Sequence, residues 1–284
     1  MQRVGGMCTA DKNGRMEESG NKTTTPAMPA DHELDAVAQW MRDAERITVF
    51  TGAGISTDSG IPDFRGPNGL WTTNPLAELT SRLSYYMGDP EVRKVAWQGR
   101  LRNFNDDRLP NDGHRAVARI EKAGRLHALV TQNVDGLHQL GGVSDHLVYE
   151  VHGTIRYARC VQCGDRRPLG VFLDRVRAGE EDPDCETCGG IVKTDVILFE
   201  EPLVPEVIEG ALAAGEDCDL LLAIGSTLSV TPAAYVVDRA RAAGRRVVIV
   251  NGGPTERDRY ADLILTGSIT PILTALADRA EFPT

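Results

Sequence analysis

The sequence predicts an α/β protein in which helices cover both faces of a parallel β-sheet. Two observations carry this prediction. Short apolar, β-branched runs alternate with segments of helical period, and polar or glycine residues follow the carboxyl ends of several runs. The 284 residues allow one large domain, or one domain with an insert. Hydrophobic residues make up 41% of the chain and charged residues 25%, as is typical of globular proteins.

The predicted elements follow one another in a regular order. Residues 1–30 are polar and have no hydrophobic period, so we predict a disordered tail there. Leu34, Val37, Ala38 and Met41 then lie at helical spacing. Strands are predicted at residues 47–50, 126–131, 146–151, 218–224, 246–250 and 263–265, with helices at 116–122, at 232–243 and at the C-terminus, and a mostly helical stretch at 65–108.

Four of the predicted strands end in polar or glycine-rich loops. These loops are Gly52-Ala53-Gly54, Gln132-Asn133, Gly225-Ser226-Thr227 and Asn251. Because ligands in open α/β sheets bind at the carboxyl edge of the strands, the four loops are expected to converge on one nucleotide. Thr57 stands where the common dinucleotide fingerprint has its third glycine, and no acidic residue clearly ends the second strand. An ordinary dehydrogenase is therefore disfavoured, although the turn's backbone N–H groups suit a pyrophosphate.

Four of the six cysteines form two C-x-x-C pairs, Cys160/Cys163 and Cys185/Cys188, separated by 21 residues. Four thiolates at this spacing predict a tetrahedral Zn²⁺ site, and a full set of protein ligands makes the metal structural. Two redox dithiols or an iron–sulfur cluster are the alternatives.

His152 directly follows a predicted strand, among the loops of the expected nucleotide site. An imidazole with an ordinary pKa near ~6.5 suits a general base at neutral pH. A lone histidine is also common in purely structural roles. His114 precedes a predicted helix and is expected to pack or cap, and His138 is given no catalytic role.

The charge pattern limits the partners and the compartment. A formal net charge of −10 argues against a surface that coats nucleic acid. No apolar run approaches the ~20 residues that cross a bilayer, and the N-terminus lacks an apolar signal region. We therefore expect a cytoplasmic protein without nucleic-acid or membrane partners, and the oligomeric state stays open.

Several motifs in a fixed order carry a resemblance to a known family. They are Gly52-Ala53-Gly54-Ile55-Ser56, Gly60-Ile61-Pro62-Asp63-Phe64-Arg65, Thr131-Gln132-Asn133-Val134-Asp135, His152-Gly153, the four cysteines and Gly225-Ser226-Thr227-Leu228. Over about residues 32–280 the chain resembles the sirtuins, NAD-dependent protein lysine deacylases, in the short form of the bacterial members. The resemblance implies a Rossmann-like NAD-binding domain (31–64, 109–153 and 191–284) and a smaller domain made of a helical insert (65–108) and a zinc module (154–190).

The resemblance also implies roles for individual residues. His152 and Asn133 would be catalytic, and Trp97, Arg100, Ile197 and Phe199 would contact the acylated lysine substrate. The expected reaction is deacetylation, which gives nicotinamide, O-acetyl-ADP-ribose and free lysine. The implied NAD contacts are Gly52, Ala53, Gly54, Thr57, Asp63, Phe64, Arg65, Gln132, Asn133, Asp135, Gly225, Ser226, Thr227, Asn251 and Ile269.

The sequence departs from the family pattern at two places. Glu200 stands where the family has a glycine beside the substrate peptide, and we expect it to adopt an extended conformation. Its charge would favour basic peptides or weaken binding. Members that remove succinyl or malonyl groups carry Tyr-x-x-Arg, whereas this chain has Trp97 and Arg100 at that spacing. Acetyl is therefore the expected acyl group. Removal of acidic acyl groups, mono-ADP-ribosyl transfer and a non-catalytic NAD-binding role are the alternatives.

Overall fold

A computed structural model describes residues 28–63, 69, 79–103 and 108–284. Its strands are β1 (Ile47–Thr51), β2 (Leu126–Thr131), β3 (Val148–Glu150), β4 (Gly153–Cys160), β5 (Arg166–Pro168), β6 (Val192–Val196), β7 (Leu220–Ile224), β8 (Arg246–Asn251) and β9 (Leu263–Thr266). Its α-helices are α1 (Asp31–Asp43), α2 (Leu83–Gly88), α3 (Pro90–Asn103), α4 (Asp112–Lys122), α5 (Leu137–Leu140), α6 (Leu169–Arg177), α7 (Pro205–Glu216), α8 (Tyr235–Ala242) and α9 (Ile269–Arg279).

Six strands form one parallel sheet in the order β3-β2-β1-β7-β8-β9. The chain runs outward from β1 in one direction and outward from β7 in the other, so the strand order reverses between these two neighbours. Loops that leave neighbouring strands in opposite directions open a crevice at that point. Thr51 ends β1 opposite Thr131 of β2 and Ile224 of β7, so three of the predicted loops start side by side.

Helices cover both faces of this sheet, as the buried strands require. All five residues of β1 are buried. Val49 packs into the core with α1, α4 and α9, whereas Phe50 packs into the opposite core with α7 and α8. Side chains of a strand point alternately to the two faces, so this division of Val49 and Phe50 confirms the predicted parallel α/β architecture.

The cysteine pairs belong to a second, smaller unit. Its three-stranded antiparallel sheet has the order β5-β4-β6. Trp97 of α3 packs with Phe172 of α6, with ring centroids 6.0 Å apart, in one apolar cluster that includes Cys160 and Cys185. The helical segment and the cysteine segment therefore share one core, and the predicted smaller zinc-binding and helical domain is confirmed as an architecture.

Some element bounds differ from the predicted ones. A short 3-10 helix over Asp145–Leu147 replaces the first part of the third predicted strand. The strand Val192–Val196 pairs with β4 and so lies outside the large sheet, although the sequence analysis gave residues 191–284 to the Rossmann-like part. The domain boundaries stay predictions. Residues 1–27 of the predicted tail lie outside the described residues, which begin at residue 28. None of the described helices is long and apolar enough to cross a membrane.

Candidate active site at the carboxyl edge of the sheet

The loops after β1, β2, β7 and β8 line a single cleft of about 1710 Å³ at the carboxyl edge of the parallel sheet. The cleft extends between the sheet edge and the smaller unit, because Arg100 of α3 and Thr194 of β6 also line it. Most of the implied NAD contacts lie on its wall: Gly52, Ala53, Gly54, Thr57, Asp63, Gln132, Asn133, Gly225, Ser226, Thr227, Asn251 and Ile269. The structure thus brings together residues more than 200 positions apart in the sequence.

Three glycines allow the first and third loops to touch. A Cβ at Gly52 would meet the Gly225 oxygen and the Ser226 Cβ at 2.8 Å. A Cβ at Gly54 would meet the Gly225 Cα at 2.8 Å, and Gly225 itself has φ +63°. Contacts this short essentially never occur for real side chains, so the close approach of the loops requires the glycines.

His152 follows β3 and lines the cleft. Its Nδ1 lies 3.2 Å from the backbone oxygen of Gln132. Because a carbonyl oxygen only accepts hydrogen bonds, Nδ1 carries the proton and Nε2 is left with a lone pair. Burial lowers the pKa of His152, with the Gln132 bond acting weakly in the opposite direction. The side chain is therefore neutral at pH 7, in the form that accepts a proton.

Gln132 and Asn133 are held by bonds between the loops. The Gln132 amide donates from Nε2 to the Ser226 hydroxyl at 2.8 Å. Asn133 donates from Nδ2 to the backbone oxygen of Gly52 at 3.1 Å and to the Ser56 hydroxyl at 3.2 Å. These contacts fix both side chains on the cleft wall before any ligand arrives, which reduces the ordering cost of binding.

Asp135 lies behind the wall and is not among the described residues that line the cleft. Its carboxylate accepts the Ser56 hydroxyl at 2.8 Å and the Leu137 backbone N–H at 2.9 Å. Burial is the main cause that raises its pKa. Ser56 bonds Asn133 as well, so Asp135 supports the wall from behind in this structure, and its implied contact with nicotinamide stays a prediction.

Two histidines complete the buried polar layer beneath the cleft. His114 accepts the Asn111 backbone N–H at 3.3 Å at the start of α4, as expected of a capping residue, and lies 3.3 Å from the Ser56 hydroxyl. His138 lies 3.0 Å from the Thr51 hydroxyl and packs edge-on against His114. Burial lowers the pKa of both imidazoles, that of His114 to about 4. Both are neutral and structural in character.

Four more implied cofactor residues fall into two groups. Thr57 donates from its hydroxyl to the Gly54 oxygen at 3.0 Å, and Asn251 donates from Nδ2 to the Gly253 oxygen at 2.8 Å. Both side chains therefore brace the loops that carry them. Phe64 and Arg65 lie outside the described residues, and their implied contacts stay predictions.

The four paired cysteines form a compact cluster. Their Sγ atoms all lie within 4.8 Å of one another, and the closest pairs, Cys160–Cys188 and Cys163–Cys185, are 3.5 and 3.6 Å apart. Sulfurs at ~2.3 Å from a tetrahedral zinc are about 3.8 Å apart, so the cluster fits Zn²⁺. The backbone N–H groups of Gln162 and Cys163 point to the Cys160 sulfur at 3.4 and 3.5 Å, which stabilises a thiolate ligand.

The two residues implied for the acyl group lie in different environments. Trp97 is fully buried in the core of the smaller unit and is not among the described residues of the cleft wall. Its indole N–H has no hydrogen-bond partner in the described part of the chain. This position favours a packing role for Trp97 over contact with the acyl group. Arg100, one turn later on α3, does line the cleft, so only the arginine of the pair is in a position to meet a ligand.

The expected extended conformation at Glu200 is wrong. Glu200 has φ +76°, in the left-handed region that favours glycine. Its carboxylate accepts the Ser84 backbone N–H at 3.0 Å at the start of α2 and lies 3.5 Å from the Arg82 guanidinium. The Ser84 bond lowers the pKa of Glu200. The side chain therefore links the loop after β6, which has a strained backbone at Glu200, to the helical segment. A glycine could not make these contacts.

Substitutions at Glu200 are expected to separate backbone strain from side-chain contact. Glu200→Gly loses the contacts with Ser84 and Arg82 but relieves the left-handed backbone, so its stability should stay close to that of the wild type. Glu200→Ala loses the same contacts and keeps the strain, since a left-handed alanine costs roughly 1–2 kcal/mol more than glycine. Urea unfolding of the three proteins checks this order. An alanine variant as stable as the glycine variant would contradict it.

Several cleft residues were not predicted from the sequence. They come from the end of β6, from the start of α7 and from the loop after β7: Val196, Leu198, Leu203, Ile208, Val230 and Thr231. These residues are apolar or small, and apolar residues at strand ends resemble core positions in sequence. Val230 and Thr231, in the loop after β7, closely follow Gly225-Ser226-Thr227. Their place in the same loop as a predicted cofactor motif could have indicated that they line the cleft.

Comparisons with known proteins agree with this geometry. A family model described as SIR2, Sir2 family, matches residues 52–232. A Streptomyces coelicolor protein named NAD-dependent protein deacetylase 2 is 46% identical over 230 residues, covering 81% of this chain and 95% of that protein. A Rhodopseudomonas palustris protein named NAD-dependent protein deacetylase is 39% identical, covering 83% of this chain and 92% of that protein.

Solved structures match over most of this chain. One, titled as the structural basis for the mechanism and regulation of Sir2 enzymes, has a TM-score of 0.80 at 33% identity and covers 89% of this chain and 99% of its own. Another, whose title names a deacetylated peptide and 3′-O-acetyl ADP ribose, has a TM-score of 0.80 at 26% identity and covers 88% and 100%. With a family model over more than half of the chain and a relative at 46% identity, the chain belongs to the Sir2 family.

Proposed function

We propose that this chain is an NAD-dependent protein lysine deacetylase that converts NAD and acetyl-lysine to nicotinamide, free lysine and O-acetyl-ADP-ribose. The observation that carries the proposal is the position of His152 on the wall of a cleft built from four strand-end loops, with its Nδ1 engaged by the Gln132 carbonyl. The names of the relatives support it, since both bacterial proteins above are named NAD-dependent protein deacetylases.

The proposed roles follow from where the residues lie. Bound NAD would supply an electrophilic ribose carbon and a leaving nicotinamide. The loops at Gly52–Gly54 and Gly225–Thr227 would hold its phosphates and ribose oxygens, because their backbone groups and hydroxyls line the cleft. His152 would accept a ribose hydroxyl proton at Nε2, since Nδ1 is engaged by the Gln132 carbonyl. Asn133, fixed by the Gly52 carbonyl and by Ser56, would orient the reacting group beside it.

Acylated proteins are the proposed substrates. Ile197 and Phe199 line the cleft just after β6, where an extended peptide would lie. Structures similar to this chain have titles that name bound peptides, one of them a myristoylated histone peptide at 29% identity and a TM-score of 0.72. The thiolate cluster fits a reducing compartment, which supports a cytoplasmic activity.

One assay tests the proposal against the alternative reactions. The purified protein is incubated with NAD and an acetyl-lysine peptide, and the products are resolved by mass spectrometry. Nicotinamide, free-lysine peptide and O-acetyl-ADP-ribose in equal amounts are expected. ADP-ribose attached to protein would indicate mono-ADP-ribosyl transfer, and NAD binding without turnover would indicate a non-catalytic module. Either result would overturn the proposed reaction.

Removal of acidic acyl groups is a second candidate, and Arg100 is the observation that favours it. Its guanidinium is partly buried, donates to the Thr194 hydroxyl at 3.2 Å, and lies 5.6 Å from the Tyr86 ring centroid. Burial lowers its pKa, and no carboxylate pairs with it among the described residues. A buried cation is stabilised by an anion, so a succinyl carboxylate in the cleft would find a partner there.

Replacing Arg100 is expected to separate the two acyl groups. The wild type should have the higher kcat/KM on acetyl-lysine. In the acidic-acyl pattern a tyrosine supplies a second donor to the acyl carboxylate, but here Trp97 takes that position and lies in the core. Arg100→Ala should lower kcat/KM for succinyl-lysine roughly 10- to 150-fold, the worth of a hydrogen bond to a charged group, and change acetyl-lysine far less. Lys94→Ala, a change at a partly exposed lysine of the same helix that is not among the described cleft residues, is the control. Equal losses on both substrates would show that Arg100 only supports the scaffold.

A further inference from the structure

We propose that Arg257 is a positioning residue that fixes the loop joining β7 to α8 in its ligand-binding conformation. The inference rests on the proposed function for its kinetic part and on the cleft geometry for its binding part. The loop contains Ser226 and Thr227, which are implied NAD contacts, and residues 230–232, which line the same cleft. Its conformation therefore affects the implied cofactor contacts and the part of the cleft wall that residues 230–232 form.

The loop holds a backbone conformation that needs support. Leu228, in the middle of the loop, has φ +54°, which a leucine rarely adopts. Its side chain is buried in the core beneath α8. The Leu228 N–H donates to the Ser226 hydroxyl at 3.1 Å, so the strained residue and the implied cofactor residue are tied together. A shift at Leu228 would move Ser226.

Arg257 supplies that support from outside the loop. Its Nη1 donates to the backbone oxygen of Leu228, and its Nε donates to the Asp238 carboxylate of α8 at 2.9 Å. Only 8% of Arg257 is exposed. Next to it, the Glu256 N–H donates to the Thr227 oxygen at 3.0 Å. One guanidinium thus joins the loop to the helix that follows it.

Arg257 acts through the loop and is not itself a ligand. It is not among the described residues that line the cleft. Without the hydrogen bonds that the Arg257 guanidinium donates, the loop would sample conformations in which Ser226 and Thr227 are misplaced. The apparent dissociation constant of a ligand rises in inverse proportion to the competent fraction, whereas the saturated complex is restored by the ligand itself. Affinity should therefore suffer more than the maximal rate.

Binding of ADP-ribose, measured by calorimetry, tests the proposal without any turnover. Arg257→Met should raise the Kd about 10-fold, which corresponds to about 1.4 kcal/mol. Arg257→Lys and Asp238→Asn each keep part of the linkage and should give smaller increases. Arg239→Ala is the matched control, because this exposed arginine of α8 pairs with Glu216 away from the loop. In deacetylation, the KM for NAD should rise by a similar factor in Arg257→Met, and kcat should stay within roughly 2-fold.

The possible outcomes separate this inference from the proposed function. Unchanged ADP-ribose affinity in Arg257→Met would overturn the inference, as would a fall in kcat with KM unchanged. If Arg257→Met does not fold, Arg257→Lys and Asp238→Asn decide, and wild-type affinity in both would overturn it. A wild-type protein that binds ADP-ribose but does not deacetylate would contradict the proposed reaction. In that case weaker ADP-ribose binding by the variants would still support the role of Arg257.

Discussion

His152→Ala is expected to lower kcat/KM for deacetylation by about 10²–10⁴-fold, the usual loss when an acid–base group is removed. ADP-ribose affinity should stay near the wild-type value, because the loops at Gly52–Gly54 and Gly225–Thr227 do not depend on the imidazole. The loss should therefore appear in turnover and not in cofactor binding. Steady-state kinetics and calorimetry of the same preparation provide both measurements.

The control for this experiment is His146→Ala, since His146 is an exposed histidine shortly before β3. It should retain wild-type kinetics. Equal turnover of His152→Ala and the wild type would contradict the proposed role. A His152 variant that loses turnover and ADP-ribose affinity in parallel would instead assign His152 to binding.

The pH profile gives an independent check on the same residue. Burial lowers the pKa of His152, so the proton-accepting form persists below the ordinary value near ~6.5. Activity should be full above the lowered pKa and should be lost as the pH falls through it. The acid limb of kcat/KM is therefore expected below pH 6.5. A limb at or above that value would show that the titrating base is not a buried His152.

Cys185→Ala is expected to abolish stoichiometric zinc and to unfold the smaller unit. Three remaining thiolates leave the tetrahedron incomplete. Cys185 is buried in the cluster that also contains Trp97 and Phe172, so the loss extends to α3 and α6. Zinc content by elemental analysis and the melting temperature should fall together. Activity should fall with them, because Arg100 and Thr194 of this unit form part of the cleft wall.

Cys218→Ala is the matched control for the zinc experiment. Cys218 is also fully buried, but it lies in the core beneath α7 and α8 and donates to the Gly215 oxygen. This variant should keep one zinc per chain and lose only packing. Full zinc content and an unchanged melting temperature in Cys185→Ala would show that the four thiols do not hold the metal.

The parallel sheet was predictable because its strands are buried on both faces. Such strands are continuous apolar runs, as in residues 220–224, and the polar loops after them mark the carboxyl edge. The antiparallel sheet of the smaller unit was not predicted. Its strand β4 is buried at only some positions, and the mixture of charged and apolar residues gives no clear period. The cysteine spacing identified this unit, but not its strands.

The parts of the site that escaped prediction depend on tertiary contacts. Trp97 and Arg100 are one helical turn apart, and only the packing of α3 on α6 decides that the indole enters the core and the guanidinium the cleft. Glu200 takes a glycine-like conformation, and only the folded chain brings Ser84 and Arg82 within reach of its carboxylate. Arg257 is one arginine among many in the sequence until Leu228 and Asp238 are placed beside it.

The position of β1 in the sheet has a consequence for biosynthesis. β1 pairs with β2 on one side and with β7 on the other, and the backbone N–H of Arg46 just before β1 reaches Asp219 across 173 residues. At about 5–20 residues per second, β7 leaves the ribosome roughly 5–20 s after β2. During that interval the backbone N–H and C=O groups on one edge of β1 have no partner strand, and such unpaired edges can pair with other chains. The nascent protein is therefore expected to be most prone to aggregate until the residues between β2 and β7 have been made, and slowing translation over this stretch should lower the soluble yield.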